Sequence, residues 1–167
     1  NASHTGCRYY GGTASLSTAA LGAFFAPNYE GDGLKIQEVI KRGPFAVKKN
    51  EITAGCIIEK IDGEAIKAGM DYNALLDGKA GKNVRLTIKN TKGKTFDLTI
   101  KAISQSNQQE LLYKRWVDRN RAIVDSVSKG RIAYVHVKAM NSESFRTVYS
   151  ELLSDKNRNK DAVIVDE

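Results

Sequence analysis

The chain has 167 residues, room for one ordinary domain or two small ones. Leu, Ile, Val and Phe fill 40 positions, about 24%, which excludes a disordered chain; two cysteines exclude a disulfide-dense scaffold, and two prolines exclude linker-like material. Lys and Arg number 26 against 19 Asp and Glu, and the net charge of +7 raises nucleic acid, anionic surfaces or acidic ligands as partners.

The first residue is Asn, not Met, so a fragment or a processed chain is expected, and a targeting signal could have preceded it. Residues Tyr9–Tyr29 form the longest uncharged run, membrane-sized by length alone. It is broken by three glycines and a proline and is rich in Ala rather than Leu, so it reads as a tight, loop-rich segment and not as a membrane span.

Short strands follow. Gly33–Ile40 begins with Leu34 and Ile36 on one side and Lys35 and Gln37 on the other. Gly55–Ile61 is apolar and β-branched and closes on Asp62-Gly63, a hairpin turn signal. Asp71 can cap a short helix over Tyr72–Asp77, which Gly78 and Gly81 end. Val84–Lys89 and Phe96–Ile100 alternate on either side of Asn90-Thr91-Lys92-Gly93 and predict a hairpin. Five or so short strands with one or two short helices suggest a small, partly open β-barrel.

The period changes at residue 106. Ser106 with Gln109 reads as a capping box, and Leu112, Trp116, Ile123 and Val127 fall on one helical face. Ile132–Val137 then reads as a strand. Ser142 caps a helix with Phe145, Val148, Tyr149, Leu152 and Leu153 on one face, and Ala162–Val165 is a second apolar strand. Strand, helix and strand predict a βαβ unit whose strands are parallel and buried on both faces. In such sheets a site lies beyond the carboxyl ends of the strands, where this sequence stops.

Chemistry-bearing residues are few. His4 lies in the polar, aperiodic stretch Asn1–Gly6 and could titrate near neutrality, although a surface histidine needs no function. His136 sits among apolar neighbours and reads as a structural strand histidine. His4 and Cys7 have an H-x-x-C spacing, but only Cys56 and His136 remain as further soft donors, so no metal site is expected. Counting alone allows a Cys7–Cys56 disulfide, with two unpaired thiols the simpler expectation. Gly78-Lys79-Ala80-Gly81-Lys82 lacks the spacer and the Ser/Thr of a phosphate loop, and no cofactor is implied. The scattered lysines of Lys79–Lys94, with few aromatics, look like a solvated face rather than a nucleic-acid platform. Leu21-Gly22-Ala23-Phe24-Phe25 places a glycine between apolar residues just before a strand. Such a loop can aim backbone N–H groups at an anion, or can be an ordinary turn.

Taken in order, Asn1-Ala2-Ser3-His4, the apolar-Gly-x-Phe loop, Ile61-Asp62-Gly63, Tyr113–Arg121 with its Y-x-x-W-V-x-x-N-R pattern, Gly130–Val137 and Ala162–Asp166 resemble the tricorn-type serine peptidases, which belong with the C-terminal processing peptidases. The resemblance covers essentially the whole chain. It implies a mixed α+β fold: residues 1–20 as an N-terminal piece of the peptidase core, 21–105 as a small PDZ-like β-barrel with short helices, 106–129 as a long connecting helix, and 130–167 as the first βαβ unit of a truncated α/β peptidase core.

By this resemblance His4 matches the catalytic general base and Ser3 the neighbouring residue that orients it. Leu21, Gly22, Ala23 and Phe24 match the carboxylate-binding loop, and Tyr72, Leu75 and Leu76 would line the same groove. Ala20 stands where the family pattern has a first glycine. The nucleophilic serine and its oxyanion donors lie outside these residues, so the chain alone is expected to be inactive. The implied partners are peptide or protein C-termini and the remainder of the peptidase core, with a homo-oligomer left open, and no nucleic acid or membrane. The implied location is the cytoplasm, with export left open. The rival expectation is a stand-alone PDZ-type peptide-binding module without catalysis; a basic nucleic-acid binder ranks below both.

Overall fold

The computed structural model describes residues 17–48 and 51–167, so Ser3, His4 and Cys7 lie outside the described residues. The fold is mixed α+β. It divides between Gln108 and Gln109 into two compact units.

The first unit is an antiparallel sheet of β1 (Ala23–Phe25), β2 (Leu34–Val39), β3 (Ile57–Ile61), β4 (Glu64–Ala65), β5 (Asn83–Lys89) and β6 (Thr95–Lys101), with 3-10 helices at Pro44–Lys48 and Tyr72–Leu76. The strand order is β1-β2-β3-β5-β6, with β4 folded back on β3. The two ends of that order meet. The Ala20 N–H donates to the Ile103 carbonyl at 2.7 Å and the Ile103 N–H returns to Ala20 at 3.0 Å, which brings the entry to β1 beside the exit from β6. The expected small barrel is thus closed by one pair of residues.

Alternation drives this closure. In β5 Val84, Leu86 and Ile88 are buried while Asn83, Arg85 and Lys89 face out. The register sets Val84 opposite Ile100, Leu86 opposite Leu98 and Ile88 opposite Phe96, so one face of the hairpin is apolar on both strands. Ile36, Phe45, Ile58 and Ile61 complete the core. Cys56 is a free thiol buried in the same core.

The turn between β3 and β4 is Asp62-Gly63, with φ of 51° and 89°. Both residues are left-handed, as the tightest hairpin turns require. Asp62 is also anchored through its side chain, which accepts the Arg85 N–H at 2.8 Å and pairs with the Lys79 ammonium. The predicted helix at 72–77 is a shorter 3-10 helix over Tyr72–Leu76, capped by Asp71, whose carboxylate accepts the Asn73 N–H at 3.0 Å.

The long helix α1 spans Gln105–Val127, and its first turn belongs to the first unit. Its cap is Ser104, not Ser106: the Ser104 hydroxyl accepts the Asn107 N–H at 3.1 Å, and the Ser104 carbonyl accepts the Gln108 N–H. The remainder forms the second unit with β7 (Ile132–His136), α2 (Ser142–Leu152) and β8 (Ala162–Asp166). The predicted βαβ unit is present, with β7 and β8 parallel and in register from Ile132–Ala162 to His136–Asp166. The cap of α2 is Asn141 rather than Ser142, because the Asn141 side chain reaches the Ser144 N–H at 2.9 Å.

Burial departs from expectation in this unit. Ala133, Tyr134 and Val135 of β7 are buried, but Val163, Ile164 and Val165 of β8 are exposed, as are Trp116, Ile123 and Val127 of α1 and Phe145 and Tyr149 of α2. Apolar stripes form as the spacing predicts; among the described residues of this unit, no further layer covers them. Charged pairs also link its elements, including Arg121 to Glu151 at 2.9 Å and Lys160 to Asp125 at 2.5 Å.

The Lys79 hydrogen bond, seconded by the Arg85 N–H, holds the Asp62 carboxyl below the usual carboxylate range. A carboxyl depressed in the folded state stabilises it above the unfolded value of about 3.9 and loses that contribution as pH falls through the folded value. Asp62→Asn should therefore lower the urea midpoint at pH 6, with the gap to the parent narrowing by pH 2.5. A gap constant across that range would show that the carboxylate charge is not the source.

Candidate functional site

The last strand on one side of the barrel sheet is β1. One edge of it pairs with β2, with Phe24 opposite Glu38. Beside it lies a groove of about 290 Å³ lined by residues 19–21 and 23–25, by Tyr72, Asn73 and Leu76 of the 3-10 helix, and by Gln105 and Gln108 of the following helix.

The segment ahead of β1 is fixed to that helix. The Ala19 N–H donates to the Leu76 carbonyl at 3.0 Å, the Gly78 N–H to Ser17 at 3.1 Å, and the Thr18 hydroxyl to the Asp77 carboxylate at 2.5 Å. Further along, the Phe25 and Tyr72 rings meet edge to face at 5.6 Å. Burial raises the Tyr72 phenol above its ordinary value, helped by the Asp71 carboxylate. The groove lining mixes the apolar Leu21, Phe24, Phe25 and Leu76 with the polar Tyr72, Asn73, Gln105 and Gln108.

Gly22 sets its polar end. In a regular antiparallel strand a residue directs its N–H and its C=O to the same neighbour. Gly22 has φ +73°, which separates the two: its carbonyl accepts the Ile40 N–H at 2.9 Å, while its own N–H donates to the Gln108 Oε1 at 3.2 Å. A Cβ at this position would stand 2.4 Å from the Pro44 Cδ, so only glycine fits both the turn and the space. The result is a backbone donor at the head of an edge strand, suited to an anionic acceptor that ends an added strand. Among the described residues lining the groove there is no Lys or Arg.

Leu21 and Ala23 are buried and line the groove, Gly22 is buried between them without lining it, and Phe24 is half-buried in β1. Tyr72 and Leu76 form the facing wall, whereas Leu75 packs against the barrel core. Ser3 and His4 cannot be placed against them, since both lie outside the described residues. Phe25 and Asn73 join the groove beside Phe24 and Tyr72 on the same elements, whereas Gln105 and Gln108 arrive from α1, far along the chain, with no local signal in the sequence.

A second polar cluster stands at the carboxyl ends of β7 and β8. The Tyr134 hydroxyl donates to the Asp166 carboxylate and accepts from the Asn120 amide at 3.2 Å. His136 lies with its Nδ1 3.3 Å from the same carboxylate and its ring against Trp116 (5.0 Å) and Tyr113 (5.5 Å). The cluster joins strand ends and holds no nucleophile. Among the described residues no group of three or more His, Cys, Asp or Glu is arranged to hold a metal ion, and no helix is long and apolar enough to cross a membrane.

Residues 27–105 match the family model described as the tricorn protease PDZ domain. Among curated proteins, the chain is 31% identical over 103 residues to the tricorn protease of Thermoplasma acidophilum, an alignment covering 62% of this chain and 9% of that protein. It is 28% identical over 159 residues to a tricorn protease homolog of Saccharolobus solfataricus, covering 90% of this chain and 14% of the relative. The chain thus spans less than a fifth of the length of these relatives. Among solved structures, the tricorn protease shares its fold with a TM-score of 0.73 at 24% identity, over 90% of this chain and 15% of the other.

Replacing Gly22 by Ala would force a Cβ against Pro44 and a side chain into the left-handed region. The cost should be about 1–3 kcal/mol, read as a lowered denaturation midpoint with the barrel still formed. A variant as stable as the parent would show that Gly22 is not held at that φ.

Proposed function

We propose that this chain, which belongs with the tricorn-type proteases and carries their PDZ domain, is the part of a peptidase that holds peptide ends and supplies its general base. The observation that carries the reading is the buried Gly22 amide at the head of β1, whose acceptor Gln108 lines a groove beside the tricorn PDZ match at residues 27–105.

In this reading a peptide adds to β1 as one more strand. Its backbone bonds to the β1 edge, its terminal carboxylate takes the Gly22 N–H, and its last side chain enters the apolar space between Leu21 and Leu76. Catalysis belongs to the longer protein. His4 takes the proton from a serine hydroxyl outside these residues as the serine oxygen attacks the peptide carbonyl, and Ser3 orients the imidazole. The proton passes to the departing amine, and water, deprotonated by the same histidine, releases the acyl group. The serine class of the chemistry and the roles of Ser3 and His4 rest on the family resemblance of Asn1–His4.

The test is hydrolysis of fluorogenic peptides by the protein extended through its peptidase core, native against His4→Ala. The expected loss is about 10³-fold or more with folding intact, and the 167-residue chain alone should not hydrolyse them. Activity indifferent to His4→Ala would remove the base assignment. The groove walls lie wholly within the first unit, so peptide binding by the 167-residue chain, with no hydrolysis by the extended protein, would favour a recognition module instead.

A further inference from the structure

We propose that Gln108 is a built-in competitor for this groove: its side-chain oxygen holds the Gly22 N–H, and a peptide end binds only by displacing it. The inference rests on the reading of the groove as a peptide site and adds a threshold to it.

The geometry of Gln108 is set by the barrel itself. Ala20 and Ile103 exchange two backbone hydrogen bonds, and Ser104 caps the helix that begins at Gln105. Residues 103–108 are therefore held beside residues 20–22. Gln105 and Gln108, three apart on the helix, share one face, and both line the groove. The Gln108 oxygen is thus tethered at high effective concentration next to the amide it occupies.

The chemistry explains the pairing. Gly22 is buried, and a buried N–H without an acceptor is costly, so an internal acceptor stabilises the empty groove. The acceptor is a neutral amide, however, and a carboxylate makes the stronger hydrogen bond to the same donor. A peptide with a free carboxylate can displace Gln108, while an amidated end or an internal stretch offers only another neutral oxygen. With no Lys or Arg among the described residues lining the groove, an incoming carboxylate meets neutral donors only, and the amide that Gln108 occupies is one of them. The competitor therefore sharpens the choice between chain ends and chain interiors.

The test uses the full 167-residue chain and an N-terminally fluorescent hexapeptide ending in Ala-Val, as the free acid and as its C-terminal amide, with affinity read by anisotropy. Gln108→Ala keeps a good helix former and removes the competitor, and should bind the free acid roughly two- to tenfold more tightly than the parent. Gln108→Glu places a charged acceptor on the same N–H and should bind it more weakly at pH 7. Exchange of the Gly22 amide hydrogen in the peptide-free protein should speed up in Gln108→Ala. Free-acid affinity equal in all three proteins, or unchanged Gly22 exchange, overturns the competitor and leaves the groove reading standing. Failure of all three proteins to prefer the free acid over the amide overturns the groove reading and the competitor with it.

Discussion

The backbone of one residue, Gly22, carries the arrangement on which the candidate site depends. Left-handed geometry sends its carbonyl into the sheet and its amide out of it. The carbonyl keeps β1 registered on β2, and the amide holds the side chain of Gln108, which lines the groove. Pro44 then fills the space that any side chain would need, so the strained turn and the 3-10 helix beyond β2 support each other. The sheet, the groove and the first turn of α1 all converge within a few ångströms of this position.

The two units solve burial differently. The barrel encloses its own core, with Phe45, Ile58, Leu86 and Ile88 fully removed from water and the sheet closed by Ala20 and Ile103. Its contribution from apolar burial is internal to it. The second unit buries little beyond Ala133, Tyr134 and Val135 and relies on ion pairs and on the Tyr134–Asp166 hydrogen bond. Partly exposed ion pairs each add little. The apolar stripes of α1, α2 and β8 stay exposed among the described residues of this unit.

Much of this was legible in the residues. Period-two alternation in Val84–Lys89 and Phe96–Ile100, the Asp-Gly turn and the 3.6-period stripe of α2 give elements within a residue or two of those observed. The caps lie one or two positions ahead of those the spacing predicts, Ser104 rather than Ser106 and Asn141 rather than Ser142, since each true cap is followed by another residue able to cap. Burial of β8 was misjudged because an apolar run says what a strand can bury, not what lies over it. For the groove, Leu21-Gly22-Ala23-Phe24 and Tyr72 announce themselves by local pattern. Gln108 does not: it meets Gly22 across 86 positions of sequence, through a barrel closure that no local spacing encodes.

Cys56 sits at the centre of the barrel with no exposed surface, its sulfur facing the Thr53 amide and the Glu51 carbonyl. A buried thiol of this kind is shielded from alkylating reagents for as long as the strands around it stay together. Its labelling is then a clock for opening of the first unit: under slow reagent the modified fraction follows the equilibrium between closed and open barrel, and under fast reagent it follows the opening step alone. Followed at Cys56 itself, apart from Cys7, this labelling gives the molecule a native reporter on the unit that frames the groove.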